Sequence, residues 1–116
     1  MALNNAGLSA AGNGIATVAT YMSLHVTAPD ATGSAASAAA RRPVTLIVAA
    51  NGDLSVANVA FTGGAANGLI NAAGLWSALT GGTYYGSQAI ESGDTAFNAA
   101  GEFTVLSIAF DLTSTD

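Results

Sequence analysis

VTLIVAANGDLSVANVAF, residues 44–61, decides the fold class. Two runs rich in β-branched and small apolar residues flank Asn51-Gly52. Asn-Gly supplies the positive φ angles of a two-residue hairpin turn, so the stretch predicts one strand entering behind Pro43 and a return strand over 53–61. Pro43 suits a strand entrance because its missing N–H is tolerated there.

Working outward, the same grammar recurs. TYMSLHV, residues 20–26, alternates: Met22, Leu24 and Val26 face one way, and Tyr21, Ser23 and His25 the other. That pattern predicts a half-buried strand with His25 on its wetter face. GLWSALTGGTYYG, residues 74–86, predicts a second hairpin, closed by a left-handed glycine with a bulge beside it. FTVLSIAFDLT, residues 103–113, predicts a last strand with Thr104, Leu106, Ile108, Phe110 and Leu112 on one face. Phe103, Val105, Ser107, Ala109 and Asp111 then take the other.

Residues 1–19 predict a short helical or irregular segment, since Leu3, Leu8, Ile15 and Val18 recur at loosely helical spacing while Gly7, Gly12 and Gly14 weaken it. Residues 27–42, with Pro29-Asp30, Gly33 and a Ser/Ala tract, predict an exposed loop. Six to eight short strands at regular spacing predict a mainly β fold, a single β-sandwich or jelly-roll-like domain over 1–116.

Composition bounds the function. The chain has 116 residues, a size that buries roughly two-thirds of its extended surface in one core. Charged residues are 8% of it, against roughly 25% in an ordinary soluble domain. The only basic side chains are Arg41 and Arg42, and the net charge is -5. Nucleic acid and anionic membrane are therefore disfavoured as partners. A surface so poor in charge fits a subunit of an assembly, covered by its neighbours, better than a dispersed monomer. Cysteine is absent, which excludes disulfides, thiolate metal sites and cysteine nucleophiles. The N-terminal stretch lacks a basic region before its apolar run and does not read as a secretory signal.

No catalytic, cofactor or metal constellation emerges from spacing, so the chain is expected to be non-enzymatic and free of cofactors. His25, the only histidine, has Asp30 five residues on as its one candidate orienting partner, and no recognisable triad completes them. Glu91 and Asp94 could offer two carboxylates to a cation in one turn, though a solvated turn is the plainer reading. Arg41 and Arg42 sit at a strand entrance, where they either balance nearby carboxylates or bridge to an acidic neighbouring subunit. Trp76 must share a face with Tyr84 or Tyr85. Aromatics so placed serve a core or a subunit contact, or form a platform for host-surface glycans. The candidate subunit-contact residues are thus Arg41, Arg42, Trp76, Tyr84 and Tyr85.

In chain order, YMSLHVTAPDATG (21–33), RRPVTLIVAANGDL (41–54), GLWSALTGGTYYG (74–86) and EFTVLSIAFDLT (102–113) resemble a family of small bacteriophage virion proteins of the minor tail or tail-fibre-like kind. The Ser/Ala tract at 34–40 and Arg42 depart from the family's usual form. The resemblance implies a structural subunit of the virion exterior, made in the host cytoplasm and contacting itself, as a homo-oligomer such as a trimer or larger, and other virion proteins. Capsid decoration is the alternative location on the particle.

Overall fold

The computed structural model describes residues 3–90 and 95–112. One helix, α1 (Asn5–Val18), precedes seven strands: β1 (Tyr21–His25), β2 (Arg42–Pro43), β3 (Ile47–Val48), β4 (Leu54–Phe61), β5 (Ala72–Trp76), β6 (Tyr84–Ala89) and β7 (Phe103–Phe110). They form two antiparallel sheets, ordered β2-β1-β5-β6 (sheet A) and β3-β4-β7 (sheet B). The fold is mainly β, as expected, and consistent with a small β-sandwich.

The core lies between the sheets. Sheet A contributes Met22, Leu24, Ala73 and Leu75, and sheet B contributes Leu54, Val56, Val59, Phe61, Phe103, Val105, Ile108 and Phe110. Burying each large apolar side chain contributes about 1.5–3 kcal/mol. At one end Phe97 meets Phe103 edge-on, with ring centroids 6.3 Å apart.

α1 is capped by Asn4, whose side chain accepts the Gly7 amide at 2.9 Å. The helix buries Gly12 against the β3–β4 turn, where a Cβ would stand 2.9 Å from Val48 Cγ1 and closer still to the Gly52 carbonyl. A bare helix face is what lets the two backbones touch.

Three expectations are corrected. The strand behind Pro43 is not one strand: Arg42–Pro43 pairs with β1, and Ile47–Val48 pairs with β4, so the chain crosses from sheet A to sheet B between them. The Asn-Gly hairpin exists but its turn is longer. Gly52 N–H donates to the Ala49 carbonyl and Ala49 N–H to the Asp53 carbonyl, both at 2.9 Å. Only Gly52 of the pair has positive φ (88°), which is a turn closed by a glycine bulge.

The third correction concerns faces. Along β7, Phe103, Val105, Ile108 and Phe110 are buried, while Thr104, Leu106, Ser107 and Ala109 are exposed. The alternation slips by one residue between Leu106 and Ser107. β4 slips at the same level, with Ala57 and Asn58 both outward and Asn58 at φ 58°. Because both strands slip together, the register is unchanged on either side: Ala57 stays opposite Ser107 and Val59 opposite Val105.

Candidate functional site

The polar and aromatic residues singled out by sequence gather on the outer face of sheet A. β1 and β5 are central strands of that sheet, so alternation sends Met22 and Leu24 to the core, and Ser23, His25, Gly74 and Trp76 to the other side. That side is also buried. Residues 26–41 run across it as a strap: Val26 N–H donates to the Ala35 carbonyl at 3.0 Å and Ser37 N–H to the Leu24 carbonyl at 2.8 Å. Most strap residues are exposed, but Gly33 and Ala39 are buried.

Under the strap lies one hydrogen-bonded chain. His25 Nδ1 is 2.8 Å from the Ser34 carbonyl oxygen. A carbonyl only accepts, so Nδ1 carries the proton and Nε2 is the acceptor. Ser23 O–H therefore donates to His25 Nε2 at 2.6 Å, and Trp76 Nε1–H donates to Ser23 Oγ at 2.9 Å. Every member is satisfied, which is the condition for burying polar groups. Burial lowers the His25 pKa from its usual value, offset in part by the Ser34 carbonyl and reinforced by the nearby Arg41 charge.

His25 is thus not on a wet face, as alternation alone predicted; it is 0% exposed. Asp30 does not orient it either. The Asp30 carboxylate accepts from Thr32 N–H at 2.8 Å and from Thr32 O–H, and these bonds lower its pKa.

A serine hydroxyl held against an imidazole could in principle be activated as a nucleophile. Here the floor of the site is Gly74, where even a Cβ would stand 2.6 Å from His25 Nε2 and 2.7 Å from Ser23 Oγ. With Ser23 only 3% exposed, no acyl group fits beside its hydroxyl in this arrangement.

The aromatic hairpin closes the cluster. β5 and β6 pair with a bulge opposite Leu75 and Trp76: Leu75 faces Gly86, Trp76 faces Tyr84, and Tyr85 is the extra residue. Tyr84 is the tyrosine that joins Trp76, with ring centroids 5.0 Å apart. Tyr85 is turned outward and exposed.

Arg41 lies over the Trp76 ring, 3.5 Å from its centroid, and donates through Nη1 to the Ala78 and Gly81 carbonyls, both at 2.8 Å. Desolvation lowers its pKa, though it remains a cation. Its fork holds the hairpin loop and covers the indole face that a sugar would need. Gly33 closes the indole edge, where a Cβ would be 2.6 Å from Trp76 Cζ2.

Of the five candidate contact residues, Arg41, Trp76 and Tyr84 meet within the chain, while Arg42 and Tyr85 point outward. The sequence reading missed Ser23 and Ser34, whose partners lie across a strand face and a loop. The visible signal was Ser-x-His on one strand, a spacing that puts both side chains on one face. Glu91 and Asp94 lie outside the described residues. Among the described residues no three His, Asp or Glu side chains come together as a metal site. No helix among them is long and apolar enough to cross a membrane. The chain matches no protein-family model, no curated protein and no solved structure.

Proposed function

We propose that this chain is a structural subunit of a bacteriophage virion, carried on the particle exterior and working through assembly rather than catalysis. The observation that carries the reading is where the reactive groups lie. Its one histidine, one tryptophan and Arg41 are engaged with one another inside the fold. Among the described residues the surface is left to small neutral side chains, isolated apolar ones such as Ile47, Leu69 and Leu106, and a few scattered charges such as Asp30, Arg42, Glu102 and Asp111. A subunit held by many weak, repeated contacts suits such a surface, because multivalency supplies the strength that a single contact lacks.

The order of sequence motifs that resembles minor tail and tail-fibre-like proteins supports the virion setting. Quantitative mass spectrometry of purified particles tests it. The chain is expected among the virion proteins, with a low copy number on a tail and a far higher one as a head decoration. Absence from washed, intact particles overturns the proposal.

A further inference from the structure

Four strand edges bound the two sheets, and three of them are blunted. β2 is two residues long and carries Arg42 and Pro43. β3 is equally short and is packed by α1. β6 is broken by the bulge at Tyr85. These are the ordinary devices against edge-to-edge pairing.

β7 has none of them. Its eight residues, FTVLSIAF, contain no charge, proline or glycine, and its centre carries Leu106, 73% exposed. A groove of about 830 Å³ runs beside it, lined by every residue from Glu102 to Ala109 and also by Gln88 and Ala89 of β6 and the following Ile90.

The slip in alternation gives this edge a further property. Read from Phe103 to Phe110, the order is in, out, in, out, out, in, out, in, which is the same read backwards. A second β7 laid antiparallel would therefore match at every position: Phe103 opposite Phe110, Thr104 opposite Ala109, Val105 opposite Ile108, and Leu106 opposite Ser107. Strict alternation over eight residues would instead set inward residues against outward ones in that register. β4 already makes this match on the other side of β7, antiparallel and slipped at the same level.

We infer that β7 is a self-pairing edge, and that a second copy of this chain docks there about a twofold axis between Leu106 and Ser107 to join two B sheets into one. The inference rests on the assembly reading above and names its surface. A twofold contact is self-complementary, which the palindromic order satisfies and an arbitrary foreign strand would not. Eight extended residues span only about 27 Å. That is too narrow for the roughly 1,200 Å² of a standard stable interface, so the pair is weak in free solution and strengthened by local concentration. The same register sets Glu102 opposite Asp111 of the second copy at both ends, a repulsion that limits pairing outside an assembly.

Sedimentation of the full chain from about 10 µM to about 1 mM tests this, the range in which a weak interface associates. The expected result is a reversible dimer that tightens with added salt. Glu102→Gln with Asp111→Asn should tighten it severalfold, and Leu106→Lys should weaken it about tenfold with folding unchanged. Since the chain has no cysteine, Thr104→Cys with Ala109→Cys should oxidise to a covalent dimer much faster than Thr104→Cys alone. Self-association that survives Leu106→Lys, or equal oxidation of the single and double variants, overturns the β7 surface while leaving self-assembly standing. A monomer at every concentration overturns the inference itself, and the virion measurement then judges the assembly reading separately.

Discussion

Sheet A and sheet B are built from similar residues and treated differently. In sheet A, β5 is buried along its whole length and β1 along all but Tyr21, because the strap seals the outer face. In sheet B, β4 and β7 keep a wet outer face of Ser55, Ala57, Asn58, Ala60, Thr104, Leu106, Ser107 and Ala109. One half of the molecule is effectively three layers, the other two. Ser23 and His25 of β1 and the Trp76 indole of β5 thus fill a second, satisfied core, and the strand face left open to solvent belongs mostly to sheet B.

The sharpest way to break this contrast is to place a valine on each outer face. Gly74→Val in sheet A drives carbon into His25 and Ser23 and should destabilise by about 3 kcal/mol in chemical denaturation. Ala57→Val in sheet B meets solvent and should stay within about 0.5 kcal/mol. Equal effects would mean the strap does not seal the site.

His25→Ala comes next, at about 2–3 kcal/mol, since it leaves a cavity and unpaired groups on Ser23 and Ser34. It also carries a pH signature. The folded chain holds His25 below its ordinary pKa, so the unfolded chain takes the proton first. Its contribution is therefore full above about pH 6.5 and is lost as pH falls below that, with a slope of at most about 1.4 kcal/mol per pH unit. Wild-type stability should fall through this window by an amount that His25→Ala removes.

Arg41→Lys keeps the charge but loses the planar fork over Trp76, and should cost about 1 kcal/mol. The shift in emission of the single tryptophan reports it. The smallest effect belongs to sheet B: Leu106→Ser should leave stability within about 0.5 kcal/mol and reduce only self-association.

These two regions also differ in how far they could be read from the chain. The Gly-Gly hairpin with its bulge was legible because turn chemistry is local, and so was the strand content of 54–61. The slip in β4 and β7 was also present in the spacing. Leu54, Val56, Val59 and Phe61 break their two-residue period once, as do Phe103, Val105, Ile108 and Phe110. An alternating template imposed on FTVLSIAF placed Leu106 with Ile108 instead. The spacing put Ser23 and His25 on one face, but the sealing of that face was not legible. His25 and Ser34 are joined by a loop whose Ser/Ala composition predicts exposure, and nothing local tells that loop to fold back over Trp76. What pins it is long-range: the absence of side chains at Gly33 and Gly74, and the reach of Arg41 to the carbonyls of Ala78 and Gly81.

Hydrogen exchange at the Trp76 indole N–H tests the sealing of that cluster most directly. It is donated to Ser23 Oγ beneath the strap, and it is the one indole proton in the chain. The account predicts exchange as slow as that of the β5 backbone amides, both limited by global unfolding. Rapid indole exchange while the β5 amides stay protected would contradict it. The strap would then open in the native state, exposing Ser23 and His25 to whatever can reach them.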